Sequence, residues 1–249
     1  MSQSVTSDDL KELFTYPFQD PEWQNKFLIG SLVVFAGFII PVVPLIAVYG
    51  YMAAIMREAI ETGRLVLPRW EDWGKLFTDG FKLLAAIFLL MLPVMLLAFC
   101  GFGAFFGLVG LSAGVAENSD AAALGPMLGM IIWFATMGLI MLLGIAIGVL
   151  MPVLMAHVVA TGQVGAAFRF KELWAIFRAN TGGFLMAYLV VIALSMVLST
   201  ALGLLYFTII LCCIVPFLMA PVTLYLMVIQ GAIFGQAYRE GQARLNALS

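Results

Sequence analysis

The segment LPRWEDWGKLFTDGFK, residues 67–82, decides how the rest of the chain is interpreted. At 3.6 residues per turn its aromatic residues fall on one face of a helix and its charged residues on the other. Pro68 suits the first helical position. Because no charged residue follows Lys82 until Glu117, the segment predicts an amphipathic helix in the membrane interface rather than on a soluble domain. The aromatic residues expected at headgroup level are Trp70, Trp73 and Phe77.

The composition is that of an integral membrane protein. Of the 249 residues, 63% are apolar and 10% are charged, and the mean hydropathy is +1.08. A soluble globular domain is nearer half apolar and a quarter charged. The formal net charge of −2 provides no basic excess, so no nucleic-acid partner is expected. The partners expected are the lipid bilayer and either a second copy of the chain or another membrane protein.

Long apolar runs, framed by short charged clusters, predict an all-α protein with about four spanning helices. Residues 1–26 form an N-terminal segment, 27–238 a single membrane domain, and 239–249 a tail. The spans are expected at 83–111, 127–159, 184–204 and 208–237, with interfacial amphipathic helices at 67–82 and 168–180.

Residues 27–56 carry no charge but are long for one span and short for two. Pro41 and Pro44 interrupt the run near its middle. Either the run is one kinked and tilted span, or it is a re-entrant hairpin that turns at the prolines. Before it, Asp20 followed by Pro21 predicts a helix cap and a first helical residue.

The second interfacial helix resembles the first. Set one hundred residues back, Arg169, Glu172 and Phe177 match Arg69, Asp72 and Phe77, and both segments precede a long apolar run. The correspondence predicts an internal repeat.

The positions of the basic residues predict the topology. All twelve Lys and Arg residues lie before residue 27, at 57–82, at 169–178 or after residue 238. The positive-inside rule places these four segments in the cytoplasm, with both termini. That arrangement requires residues 27–56 to cross an even number of times, which favours the hairpin. A single crossing would leave only Lys11 and Lys26 outside.

Two further sets of residues are assigned structural roles. Aromatic residues near the ends of the apolar runs are expected to anchor the helices in the interface. Glycines spaced by four residues are expected to allow close helix packing. The anchors are Trp23, Trp70, Trp73, Phe77, Trp174 and Phe177, and the packing glycines are Gly103 with Gly107, Gly144 with Gly148, and Gly231 with Gly235.

Residues that carry chemistry are scarce. The apolar runs contain no Asp, Glu, Lys or Arg, which disfavours proton relays and ion-coupled carriers. His157, the single histidine, is expected to bond a carbonyl near the cytoplasmic end of its helix. Asp72, Asp79 and Glu172 are expected on solvated faces. No catalytic residue, cofactor site or metal site is predicted, and the cysteines at 100, 212 and 213 have no metal-binding spacing.

Two motifs resemble a prokaryotic family of polytopic membrane proteins catalogued as a domain of unknown function. They are Tyr16-Pro17-Phe18-x-Asp20-Pro21-x-Trp23 and Leu67-Pro68-x-Trp70-x-Asp72, the second continuing to Phe77-x-Asp79-Gly80. The resemblance covers most of the chain, to about Ala237. It implies a plasma-membrane protein of four to six helices and assigns no activity.

Two functions remain open at this point. The glycine-rich helix faces and the lack of buried charge favour a non-enzymatic scaffold or accessory subunit of a membrane complex. Prolines within the spans, at 93, 152, 216 and 221, and the predicted repeat would instead suit a transporter or channel for a neutral or lipid-like molecule.

Overall fold

A computed structural model describes residues 7–115, 121–205 and 214–248. Across these residues the chain is 89% helical with no strand, which confirms an all-α membrane protein. Within them it forms eight α-helices and one 3₁₀ turn. They are α1 (Ser7–Gln19), α2 (Trp23–Ala36), α3 (Val42–Glu61), α4 (Trp73–Val115), α5 (Ala121–Thr161), the 3₁₀ turn (Val164–Phe168), α6 (Phe170–Ala179), α7 (Thr181–Leu205) and α8 (Val215–Leu248).

The chain divides into two compact units, where the sequence predicted one membrane domain. The first unit comprises Met1–Ala86 and Leu150–Ser249, and the second comprises Ile87–Val149. Helices α4 and α5 contribute to both units. In the first unit α8 is the common packing surface, because α1, α2, α3, α6 and α7 all contact it.

Helices α2 and α3 form a hairpin that turns at residues 37–41. The turn is satisfied internally, since Gly37 N–H donates to Val34 O and Ile40 N–H to Ala36 O. Pro41 and Pro44 lack an N–H group, so the first turn of α3 exposes fewer donors than usual. The turn is nevertheless apolar and exposed, with Ile39 at 77%. Because the N–H groups of Gly37 to Ile40 are bonded within the turn and Pro41 has none, the turn leaves no free backbone donor that an apolar surrounding would penalise.

The second unit is an antiparallel helix pair. On the side where α4 faces α5, a Cβ built on Gly101 would meet the Thr136 side chain, and one built on Gly129 would meet Phe105. Trp133 packs edge-on against Phe102, with ring centroids 4.9 Å apart. Small residues therefore bring the two backbones together, and aromatic rings fill the space beside them.

Five helices of the described chain are long and apolar enough to cross a membrane. These candidate spans are Val42–Glu61, Trp73–Ser112, Leu124–Thr161, Thr181–Leu205 and Val215–Ala247. At 14 residues, α2 is not among them. The turn expected near residues 203–208 lies mostly outside the described residues, as does the loop around Glu117. Both α4 and α5 extend further toward that loop than the sequence predicted.

The prediction of a separate interfacial helix over residues 67–82 is wrong in two respects. The helix begins later than predicted, and it is continuous with the spanning helix that follows. Residues 63–69 have no regular structure, and α4 begins at Trp73 and continues without a break to Val115. Asp72 explains the position of the start, because its carboxylate accepts a hydrogen bond from Lys75 N at 3.0 Å. A capping acid three residues before a free N–H is a strong start signal, and here it prevails over Pro68.

Candidate functional site

The first motif joins α1 and α2 to α8. Tyr16 donates its hydroxyl proton to Val228 O at 3.2 Å, and Phe18 stacks on Tyr225. Burial, together with the neighbouring Tyr51 and Tyr225, raises the pKa of Tyr16 well above its usual range. The Tyr16 hydroxyl therefore stays protonated and serves as a structural donor.

Asp20 is not the helix cap that the sequence predicted, because Glu22 precedes the first residue of α2 and Asp20 lies in the turn before it. One carboxylate oxygen accepts from Glu22 N at 2.8 Å, and the other lies 2.6 Å from Lys26 Nζ. The ammonium of Lys26 also donates to Leu67 O at 2.8 Å, which ties α2 to the segment before α4. Helix α2 itself starts at Trp23, so Pro21 lies before the helix rather than at its first position.

The second motif holds that segment against α3. The Trp70 ring stacks on Tyr51, with centroids 4.1 Å apart and planes 3° from parallel, and its Nε1 donates to Lys26 O at 3.0 Å. Tyr51 donates its hydroxyl proton to Pro68 O at 3.0 Å. Trp70 is therefore a buried packing residue, not the headgroup anchor that the sequence predicted.

The remaining predicted anchors divide by burial. Trp73 and Trp174 are exposed, at 38% and 53%, while Trp23 and Phe77 are half-buried. Phe177 is buried and stacks on Phe184, so its ring packs inside the protein. Phe177 is buried because it lies on the face of α6 that packs on α7 and α8.

The predicted packing glycines fall into two groups. A Cβ on Gly231 or Gly235 would come within 2.8 Å of a carbonyl oxygen of α3, so α8 approaches α3 closely at these positions. In contrast, no described atom of another helix lies within 4 Å of a Cβ built on Gly103, Gly107 or Gly144. These three glycines make no such close contact within the described chain.

Two residues expected on solvated faces lie beside a partner on another helix, although the Glu172 side chain is 54% exposed, as the sequence predicted. Asp79 lies 2.7 Å from Arg57 Nη1 with only 11% of its side chain exposed, which links α3 to α4. Glu172 lies 3.3 Å from His157 Nε2, off the direction of a hydrogen bond. Both pairs are formed between helices that the sequence could not place beside each other.

His157 contacts a hydroxyl rather than the carbonyl that the sequence predicted. Its Nδ1 lies 2.7 Å from the Tyr238 hydroxyl, which accepts a hydrogen bond from Gln242 Nε2 at 3.0 Å. The hydroxyl is then free to donate its proton to Nδ1, which leaves the imidazole proton on Nε2 toward Glu172. His157 and Tyr238 are both buried, so this cluster fastens α5 to α8 and presents no nucleophile to solvent.

A cleft of about 1020 Å³ in the first unit is the candidate functional site. It lies between α1, the turn at residues 62–65, the start of α7 and the C-terminal half of α8. Its lining combines apolar side chains such as Leu13 and Met186 with charged and amide groups. The volume is at the upper end of the range of small-molecule sites. The charged and amide lining residues are Glu12, Gln19, Arg64, Asn180, Gln236, Arg239, Glu240 and Arg244.

The turn at residues 62–65 brings two arginines to the cleft. Gly63, with φ of +76°, ends α3 in the left-handed conformation, and its N–H donates to Ala59 O. The absence of a side chain lets the Arg239 guanidinium lie against it, since a Cβ would come 2.7 Å from Arg239 Nη1. Arg64 follows directly. Among the described residues, neither Arg64 nor Arg239 has a carboxylate within 4 Å.

Asn180 is the buried polar residue of the cleft. It is 1% exposed, and its Nδ2 donates to Ala237 O at 3.0 Å and to Glu240 Oε2 at 3.3 Å. Its Oδ1 has no partner among the described residues. Gly182 and Gly183 follow in the first turn of α7, where helical N–H groups lack intrahelical acceptors.

Sequence reasoning did not find this cleft. Its residues come from four distant parts of the chain, and each appears ordinary alone. One signal was present, because Asn180 followed by Thr181-Gly182-Gly183 is an N-terminal helix signature beside glycines that leave the backbone open. The metal prediction stays untested, although no cluster of metal-binding side chains occurs among residues 7–115, 121–205 and 214–248.

Comparison with known proteins gives one family match. The model described as "Protein of unknown function (DUF4013)" matches residues 33–207, about two thirds of the chain, from α2 to just beyond α7. The match leaves the first motif and α8 outside. No curated protein and no solved structure matches the chain. The matched residues cover both the helix pair of the second unit and most of the first, and the chain belongs to the DUF4013 family.

Proposed function

We propose that the protein is a non-enzymatic scaffold or accessory subunit of a membrane complex. In this role the glycine face of the second unit binds a neighbouring membrane protein, in the simplest case a second copy of the chain. The supporting observation is the unfilled face at Gly103 and Gly107.

The position of these glycines on α4 supports the proposal. Gly101 faces α5, and Gly103 lies about 200° further around the helix, on the opposite side. Gly107 is one turn beyond Gly103 and about 40° from it, so both present one flat strip. Because lipid tails are as apolar as leucine, helices associate in bilayers where small residues allow close backbone contact. A second helix seated on this strip would gain contacts that lipid chains supply poorly.

The non-enzymatic part of the proposal rests on the chemistry of the described polar clusters. His157 and Tyr238 are buried and bonded to each other, and Asp79 is paired with Arg57. The cleft presents arginines and amides but no serine, cysteine or histidine beside a base. The cleft therefore lacks the nucleophile–base pair of the common covalent mechanisms.

The proposed location is the plasma membrane, with both termini in the cytoplasm. The contacts that gather the basic segments at one end of the first unit support it. Gly63 meets Arg239, and Asn180 bonds Ala237 and Glu240. The positive-inside rule then assigns that end to the cytoplasm.

The association is tested by energy transfer between donor- and acceptor-labelled copies in liposomes, with native mass spectrometry to detect other partners. Gly103→Leu with Gly107→Leu should lower the association constant by about tenfold or more, since two leucines would hold a neighbouring helix away. Gly138→Leu is the matched control. A Cβ on Gly138 also meets nothing within 4 Å, but Phe134 and Leu142 flank it at four-residue spacing.

Equal association of the wild type, the double variant and the control would contradict the glycine strip as the interface. If the wild type stayed monomeric at every concentration in the bilayer and no membrane protein co-purified, the scaffold function itself would be wrong.

A transporter of a neutral or lipid-like molecule is the second candidate, and the cleft of about 1020 Å³ favours it. Mixed apolar and polar lining would suit an amphiphile. A flux assay with fluorescent lipid or neutral solute in proteoliposomes tests this function. Flux that Gly182→Leu abolishes would support it, and no flux above protein-free vesicles would contradict it.

A further inference from the structure

The cleft carries positive charge that the described protein does not neutralise. Arg64 and Arg239 both line it and have no carboxylate within 4 Å among the side chains that the structure describes, whereas Arg244 lies 3.7 Å from Glu240. Glu12 is the other acid in the lining. Guanidinium groups pair with phosphate in bidentate geometry, and two free ones in one cleft are suited to that group.

The start of α7 adds to this positive charge. Gly182 and Gly183 line the cleft in the first turn of a 25-residue helix, where free N–H groups and the helix dipole favour an anion. A Cβ on Gly182 would meet nothing within 4 Å, whereas one on Gly183 would collide with the Asn180 side chain, so the open space at the start of α7 lies at Gly182.

Asn180 sets a second requirement on the ligand. Because its Nδ2 is committed to Ala237 O and Glu240, the amide cannot be reversed without losing both bonds. Its buried Oδ1 has no hydrogen-bond donor among the described residues, so a ligand that carries a donor would satisfy it. A bare phosphate dianion would satisfy the arginines but not this acceptor.

We propose that the cleft binds a phosphate ester whose alcohol or amine head group carries a hydrogen-bond donor. The phosphate lies at Arg64, Arg239 and the start of α7, and the donor reaches Asn180 Oδ1. Phosphatidylglycerol and phosphatidylethanolamine have this chemistry, and so do their water-soluble fragments. The apolar part of the lining, which includes Leu13, Leu65 and Met186, lies beside the polar part as the acyl end of a lipid would require.

Native mass spectrometry of the whole protein in detergent tests the proposal, with each lipid titrated separately. Phosphatidylglycerol and phosphatidylethanolamine should bind about tenfold more tightly than phosphatidylcholine, whose quaternary ammonium has no proton to donate. Glycerol 3-phosphate is the soluble competitor. If it displaces bound lipid at equal concentration, the natural ligand is a soluble phosphate ester, and if it does not, the ligand is the lipid head group.

Three variants separate this site from lipid that merely coats the apolar surface. Arg64→Gln with Arg239→Gln should weaken binding by about tenfold or more. Lys171→Gln with Arg178→Gln removes the same charge from exposed positions outside the cleft and should leave binding unchanged. Gly182→Leu places a side chain at the start of α7, where a Cβ would meet nothing within 4 Å, and should also abolish the preference between lipids.

Binding of all three lipids with equal affinity would overturn the proposal. So would a double arginine variant that binds as well as its charge-matched control, or full binding by Gly182→Leu.

Discussion

At the scale of single residues, partly buried ion pairs fix how the first unit is assembled. Lys26 and Asp20 have side chains only 10% and 15% exposed, and the Arg57–Asp79 pair is similar. The sequence shows each charge but not its partner, because Arg57 and Asp79 are brought together only when α3 packs on α4. The sequence alone therefore predicts a solvated Asp79, whereas the structure pairs it with Arg57.

Replacing Asp20 by Asn should destabilise the protein by about 1–3 kcal/mol. The neutral side chain can still accept from Glu22 N, but Lys26 keeps its charge in a mostly buried position with only Leu67 O as a partner. Thermal unfolding in detergent measures the loss. Glu22→Gln is the control, because its pair with Arg69 is about half exposed and should contribute less than about 1 kcal/mol. Equal losses in the two variants would refute the special role of Asp20.

The same ion pair predicts a pH dependence. Burial alone would raise the pKa of Asp20, but the hydrogen bonds from Lys26 and Glu22 N–H and the charges of Lys26 and Arg69 outweigh burial and lower it. The ionised Asp20 carboxylate therefore contributes its full share of the free energy of unfolding above the unfolded-state pKa of about 3.9. This contribution is lost as pH falls through the lower folded-state pKa. The stability gap between wild type and Asp20→Asn should narrow as pH falls from about 6 toward 3. A gap that widens would show that the sign is wrong.

At the scale of elements, α3 and α4 cross where two glycines remove the side chains between them. A Cβ on Gly80 would collide with the backbone carbonyl of Ile46, and one on Gly50 would collide with that of Leu76. Backbone atoms cannot move aside as a flexible side chain does, so the crossing distance is set by these two positions.

Gly80→Ala should therefore cost about 2 kcal/mol or more, despite the better helix propensity of alanine. Gly74→Ala on the same helix is the matched control. The nearest atom to its Cβ would be Asp72 Oδ1 at 3.7 Å, so it should stabilise slightly. Thermal unfolding of the two variants should give shifts of opposite sign, and a neutral Gly80→Ala would mean that the helices cross further apart.

The sequence predicted elements well where apolar length and prolines determine them. The 27–56 run is interrupted at its prolines, between α2 and α3, as the sequence predicted. The prediction of helix boundaries failed at residues 67–72. There the apolar periodicity of a helix continues through a segment that long-range hydrogen bonds hold in an irregular conformation. Trp70 belongs to that pattern by spacing, yet its ring is drawn onto Tyr51, which lies 19 positions earlier. Periodicity records which face is apolar, not what that face meets.

At the scale of the whole molecule, composition and charge predicted the class but not the candidate site. Few charges and long apolar runs leave hardly any alternative to a helical membrane protein. The cleft, in contrast, depends on Arg64, Asn180 and Arg239, which are separated by up to 175 positions. Only the packing of α1, α7 and α8 brings these residues to one place.

The hairpin should end inside the bilayer. Helix α2 has 14 residues and so spans about 21 Å, less than the roughly 30 Å of hydrocarbon. In a variant without Cys100, Cys212 and Cys213, a cysteine at Ile39 should resist impermeant maleimide from both sides.

Cysteines at Gln24 and Glu61 supply the matched positions, since both are exposed at the open end of the hairpin. They should react from one and the same side of sealed vesicles. Reaction of position 39 from the opposite side would show that the hairpin crosses completely, and reaction of 24 and 61 from different sides would show a single crossing.

The central position of α8 has a consequence for how the protein is made. A ribosome releases α1, α2, α3, α6 and α7 before α8, yet each of them packs on α8. The buried contacts of Tyr16 and Tyr51 with Leu224 and Val228 can therefore form only after α8 has been synthesised. At about 5–20 residues per second, the helices between α1 and α8 take roughly ten to forty seconds to emerge. During that interval the surfaces of the nascent chain that later pack on α8 are exposed to lipid. A chaperone or insertase would have its longest opportunity to bind them then.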